Sequence, residues 1–82
     1  MKPTKSQKEV INQLVFIESY DTLLEELRVK RGELRDDLMQ LINAGMVEIF
    51  DAGSSRRLNG YDADHLERFS FRATSKGLNA RQ

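Results

Sequence analysis

A chain of 82 residues makes one domain at most. A domain this short buries only about 60–65% of its unfolded surface, which leaves one small core and little room for an enclosed active site. The absence of cysteine excludes disulfides and thiolate metal sites, and the single histidine, His65, cannot build a histidine metal site alone. Thirteen basic and thirteen acidic side chains cancel, and neither half of the chain is a basic field, which counts against purely electrostatic, high-affinity binding to nucleic acid.

No apolar run approaches the roughly 20 residues of a membrane span, and the N-terminus lacks a signal-peptide pattern. The expectation is a cytoplasmic protein with no membrane partner. Residues 1–4 and 79–82 are expected to fray. Thr4 with Gln7, and Ser6 with Glu9, form two overlapping capping signatures. A first helix therefore starts near residues 5–7, with Val10, Ile11, Leu14, Val15 and Ile17 on its buried face. It fades at Glu18 and Ser19.

Asp21 or Thr22 caps a second, short helix, with Tyr20 packed before it as a hydrophobic staple. Leu23, Leu24 and Leu27 point inward, and Val29 tucks into the bend that follows. Lys30, Arg31 and Gly32 connect to the next helix, and Lys30 stands where Ser or Thr would cap better. Residues 34–45 carry Leu34, Leu38, Leu41 and Ile42 at i, i+4, i+7 and i+8, one apolar stripe on a helix. Gly45 supplies the left-handed stop.

A strand follows at residues 47–51. Residues 52–55 read as a loop, Asn59-Gly60 as a type I′ turn, and residues 62–66 as one helical turn. Phe69-Ser70-Phe71-Arg72-Ala73 alternates as a half-buried strand does, with Phe69 and Phe71 facing the core. Residues 74–78 close that strand. The fold class is therefore α+β, three helices followed by a two-stranded β-hairpin, in a single domain over residues 1–82.

The spacing of Leu23, Leu27, Val29, Leu34, Leu38 and Leu41, followed by Asn43-Ala44-Gly45-Met46-Val47, resembles the winged helix-turn-helix of bacterial winged-helix transcriptional regulators. In those families the last strand runs into a T-x-K-G element, and Thr74-Ser75-Lys76-Gly77 matches it. The match covers roughly residues 5–78. The resemblance implies a small winged helix-turn-helix that binds double-stranded DNA, with the third helix in the major groove and the hairpin wing on the backbone. Two departures stand out. The chain ends four residues after Leu78, where many such regulators carry a C-terminal dimerisation helix, so a homodimer would need another surface such as the first helix. The wing, residues 52–66, is long and carries acids beside its arginines.

At 100° per residue, the face of the third helix opposite its leucines holds Gly32, Asp36, Met39, Gln40 and Asn43, with Glu33 on the flank. Gln40 and Asn43 have the chemistry to read adenine, and Arg35 to reach a phosphate. Asp36 and Glu33 face phosphate unfavourably unless one of them accepts from a cytosine amino group. The better basic set is Lys30 and Arg31 before the helix, Arg56 and Arg57 in the wing, and Arg72, joined by Arg68, from the last strand. These either converge into a phosphate-positioning rim or are scattered charges paired with Asp51, Asp62 and Glu67. The alternative function is a protein–protein module without DNA binding, presenting Met39, Phe50 or Tyr61 to a protein partner.

His65 reads as a surface residue. Asp36 and Asp37 diverge by about 100° on one helix and make no acid–base couple. Asp62-Ala63-Asp64 lacks the glycine and distal glutamate of a calcium loop. There is no nucleophile–base pair and no glycine-rich phosphate loop. Neither an enzyme nor a cofactor is expected.

Overall fold

The structure, a computed structural model, describes residues 1–81. It is an α+β domain of four helices and a four-stranded antiparallel sheet. In chain order these are α1 (Lys5–Gln13), β1 (Glu18–Ser19), α2 (Tyr20–Leu27), α3 (Arg31–Asn43), β2 (Val47–Asp51), β3 (Arg57–Leu58), a 3-10 turn (Leu66–Arg68), β4 (Phe69–Ala73) and α4 (Ser75–Ala80). The sheet runs β1-β4-β2-β3.

Of the two capping signatures, the chain uses Thr4 with Gln7. Thr4 Oγ1 accepts from the Gln7 amide at 3.2 Å, and Gln7 Oε1 accepts from the Thr4 amide at 2.9 Å. Pro3 beside them is buried, so residues 3–4, expected to fray, are docked, while Met1 and Lys2 are exposed. Helix α1 stops at Gln13, and Val15, Phe16 and Ile17 are exposed rather than buried. The Leu14 carbonyl accepts the Ala73 N–H at 2.8 Å, which draws the chain off the helix and into β1 beside β4.

Helix α2 is capped by Ser19, two residues before Asp21 and three before Thr22, the expected caps. The Ser19 Oγ accepts from the Thr22 amide at 3.1 Å. Tyr20 is the first helical residue, is buried, and donates its hydroxyl to the Arg31 carbonyl at 3.0 Å. It thus ties α2 to the start of α3. Arg28 ends α2 in the left-handed region at φ 53°.

Helix α3 begins at Arg31, one turn before the leucine stripe, and Lys30 makes no side-chain cap bond. Leu34, Leu38 and Leu41 are fully buried. Gly45, at φ 75°, lets the chain close a Schellman motif: Met46 N–H bonds to the Leu41 carbonyl and Gly45 N–H to that of Ile42.

Strand alternation then sorts the sheet. Val47, Ile49, Phe71 and Ala73 join the core with Val10, Ile11, Leu14 and Leu23. Glu48 and Phe50 pair across from Arg72 and Ser70 on the other face. The expected two-stranded hairpin is thus the centre of a four-stranded sheet, and two features of the segment between β2 and β4 also differ from the sequence reading. The hairpin turn falls at residues 52–56, not at Asn59-Gly60: Ser55 takes the left-handed conformation at φ 58°, and the Asp51 carboxylate accepts from the amide and hydroxyl of Ser54. Gly60 does not have the positive φ that a type I′ turn requires. The helical turn expected at 62–66 lies at Leu66–Arg68.

The residues expected only to close β4 instead form helix α4, and they make a clasp on the end of α3. Thr74 caps α4 through Gly77 N–H, donates its backbone N–H to Met46 O at 3.0 Å and its hydroxyl to Gly45 O at 2.7 Å. Lys76 Nζ reaches Ala44 O at 2.7 Å. Three successive carbonyls at the negative end of α3 are satisfied this way, one of them by a cation. Gly77 presses so closely on Met46 that a Cβ there would overlap its carbonyl oxygen. Gln82, expected to fray, lies outside the described residues.

Candidate nucleic-acid interface

The leucine stripe fixes which side of α3 meets solvent. Gly32, Glu33, Asp36, Gln40 and Asn43 are exposed, and Arg35, Asp37 and Met39 are half-buried. Each flank is engaged by the chain itself. On one flank Gln40 Oε1 accepts from Gln7 Nε2 at 2.7 Å, satisfying a glutamine that is only 1% exposed. On the other, Asn43 Oδ1 accepts from the Tyr61 hydroxyl at 3.3 Å. Arg35 Nε donates to the Ala63 carbonyl at 3.1 Å, and its guanidinium lies 3.8 Å from the Asp64 carboxylate. The crown left between the flanks is Gly32, Glu33 and Asp36. Neither acid has an ion-pair partner among the described residues.

The cations fall into two groups. Lys30, Arg31 and Arg35 stand at the first turn of α3. Arg31 lies over the Tyr20 ring at 5.9 Å, and Arg31 and Arg35 line a cleft of about 260 Å³ with Tyr20, Ala63, Asp64 and Glu67. Burial pushes the Tyr20 hydroxyl above the usual tyrosine range, against the pull of the neighbouring Arg31 charge. The second group is Arg56, Arg57 and Arg72. Arg57 and Arg72 converge on Glu48, each 3.5 Å from its carboxylate, and Arg72 also covers the Phe50 ring at 5.1 Å. Arg56 extends from the exposed hairpin turn at residues 52–56. Of the residues singled out in the sequence, the structure thus pairs Arg57 with Arg72 and Arg31 with Arg35. Gln40 and Asn43 stay on one face of α3 but are engaged by different partners, Gln7 and Tyr61. The acids expected to neutralise the basic set were Asp51, Asp62 and Glu67, and the acids found in ion pairs with its arginines are Glu48 and Asp64.

Phe50, a candidate for presentation to a protein partner, is 7% exposed and unavailable. Tyr61 is half-buried against the core edge, and Met39 is half-buried on α3. His65 Nδ1 donates to the Asp62 carboxylate at 2.8 Å. That bond first, and the Asp64 amide second, hold the Asp62 carboxyl below its ordinary range. Gln7, Glu48 and Tyr61 were not flagged as partners of the site. Gln7 had a readable signal, since it opens the 7, 10, 11, 14 stripe of α1. Glu48 had none without the β2–β4 register.

Comparison with protein-family models, with curated proteins and with solved structures gives no match. The functional reading rests on the geometry.

Proposed function

We propose that this chain is a winged-helix DNA-binding domain that acts in transcription regulation. The observation that carries the proposal is the joint exposure of α3, set behind α2 by a short bend, and of a hairpin arm tipped by Arg56 and Arg57. A 13-residue helix spans about 20 Å, enough to cross a major groove, and the arm supplies phosphate contacts that α3 lacks. In this reading Lys30, Arg31 and Arg56 position the duplex, Arg35, Arg57 and Arg72 add phosphate contacts, and Gln40 and Asn43 read bases. The test is titration of a labelled duplex pool at low salt, where phosphate contacts are strongest. Binding that weakens in the Arg56→Ala, Arg57→Ala double variant is expected. No binding to any duplex at about 50 mM salt refutes the proposal.

One observation favours a second reading, a protein-binding module. The crown of α3 is acidic, has no ion-pair partner among the described residues, and faces solvent where phosphate repulsion would be greatest. A stoichiometric protein partner that stays bound through purification, with no duplex affinity, would decide for it.

A further inference from the structure

Residues 59–65 do not behave as an ordinary wing loop. They run between two anchors, Leu58, which pairs with Ile49 in the sheet, and Leu66, which is buried in the core. Between those anchors they form no helix or strand. They lie along one flank of α3 and touch it at two places. Tyr61 occupies the amide oxygen of Asn43, and the Ala63–Asp64 step occupies the guanidinium of Arg35. These are the base-reading and phosphate-reaching residues on that flank, eight positions apart on one helix.

We infer that residues 59–65 are an autoinhibitory strap, which withholds Arg35 and Asn43 from DNA and is displaced when the duplex binds. The inference rests on the DNA-binding reading. Three features fit a strap that lifts rather than a fixed part of the core. Two of its three polar contacts to α3 are solvent-exposed, the Tyr61–Asn43 bond and the Arg35–Asp64 pair, where the Asp64 side chain is 83% exposed and the Arg35 side chain 44%; only the Arg35–Ala63 bond is partly buried. Exposed pairs of this kind hold weakly and give way to a stronger anion. The cleft beside Arg31 and Arg35 shows that the strap does not pack flush on the start of α3. Its own hydrogen bonds are local. Asp62 accepts from the Asp64 amide at 3.0 Å and pairs with His65, so the segment keeps its shape when it leaves the helix. A backbone phosphate arriving at Arg35 replaces the Asp64 carboxylate with an anion of similar geometry. The population of the open state then sets the apparent affinity.

The test compares duplex affinities of full-length variants at fixed salt. Tyr61→Phe frees Asn43 without changing charge. Asp64→Asn removes the carboxylate that competes for Arg35 and leaves only the Ala63 carbonyl bond to hold it. Glu67→Gln removes an equal charge from the same cleft, at a residue with no bond to α3 among the described residues, and controls for simple electrostatics. All three positions are on the surface side of the fold, and an unchanged denaturation midpoint confirms that each variant is folded. The strap predicts that Tyr61→Phe/Asp64→Asn binds about fivefold tighter than the wild type, beyond any gain in Glu67→Gln. It also predicts a salt dependence steeper by about one phosphate. Wild-type binding that the double variant leaves unchanged or weakens, or a gain no larger than that of Glu67→Gln, overturns the strap and leaves the DNA reading standing. Failure of wild type and variant alike to bind any duplex overturns both.

Discussion

Replacing Gly77 with alanine is expected to destabilise this fold, although helix propensity alone predicts the opposite. Gly77 is the third residue of α4, and alanine in a helix is favoured over glycine by about 0.8–1 kcal/mol. The added methyl, however, would overlap the Met46 carbonyl oxygen and crowd the Met46 Cα and carbonyl carbon as well. These are backbone atoms in the link from α3 to β2, fixed by the Met46–Leu41 hydrogen bond and the start of β2, so they cannot rotate away. Helix α4 must therefore retreat, and the clasp retreats with it. At stake are the bonds from Thr74 and Lys76 to the carbonyls of residues 44–46. Overpacking costs about 1–3 kcal/mol, and each strained clasp bond adds about 0.5–1.5 kcal/mol. After subtracting the propensity gain, the net loss is about 2 kcal/mol, or a fall in Tm of about 8–16 °C for a domain of this size. Gly32→Ala is the matched control. A Cβ at Gly32 meets nothing within 4 Å and the backbone is compatible, so this variant should gain up to about 0.5–1 kcal/mol. Denaturant midpoints measured side by side give both numbers. A Gly77→Ala protein as stable as the wild type refutes the tight clasp.

Gln7→Ala should cost about 1–2 kcal/mol, because it removes half of the α1 capping box and a buried hydrogen bond, and it should release Gln40 to solvent. A midpoint change below about 0.5 kcal/mol would count against that role. Tyr20 gives a pH test. Its pKa is raised in the folded state, so the associated stability is fully present below the unfolded value near 10 and is lost as pH rises through the folded value. Tyr20→Phe should flatten the alkaline limb of the stability profile and abolish a late-titrating phenolate absorbance. An unchanged alkaline limb would mean that another group is responsible. Asp62 works in the opposite sense. Its lowered pKa stabilises the strap above the usual aspartate range, and that order is lost as pH falls through the folded value. The Asp64 amide resonance should report this transition in the wild type and not in Asp62→Asn.

Much of the framework was legible because the informative signals are local. The apolar period of α3, the capping residues at Thr4, the Gly45 stop and the alternation of β4 each need only neighbouring residues. What escaped the sequence depends on distant partners. Val15 and Ile17 continue the apolar pattern of α1, yet they are exposed because the Leu14 carbonyl is claimed by Ala73. The strands β1 and β3 are two residues each, too short to show a period. Thr74-Ser75-Lys76-Gly77 was recognisable as a motif, but its work on the end of α3 appears only when the carbonyls of residues 44–46 are brought beside it. Most of the outer face of α3 was readable from the leucine stripe, but Met39, expected there, is half-buried, and Glu33, expected on the flank, is exposed. Its flanks were not, since Gln7 and Tyr61 lie far from it in the chain.

The acidic crown of α3 offers a test in which the two functional readings predict opposite signs. Asp36 is exposed, unpaired among the described residues, and central on the face that would enter a groove. Lys30, Arg31 and Arg56 are the site cations without a carboxylate partner among the described residues, while Asp64 and Glu48 hold Arg35, Arg57 and Arg72. Three phosphate contacts give a slope of log affinity against log salt of about −2.7, and six give about −5.4. Asp36→Arg removes a repulsion and adds a cation without touching the leucine stripe. If α3 lies in a groove, the substitution should tighten duplex binding by about tenfold at low salt and steepen the slope by about 0.9. If the acidic crown instead docks a basic protein surface, the same substitution places like charges in contact and should abolish partner binding. A fall in duplex affinity on Asp36→Arg, in a protein whose denaturation midpoint is unchanged, would remove α3 from the DNA interface. It would leave the arm bearing Arg56 and Arg57 as the part of the molecule to pursue.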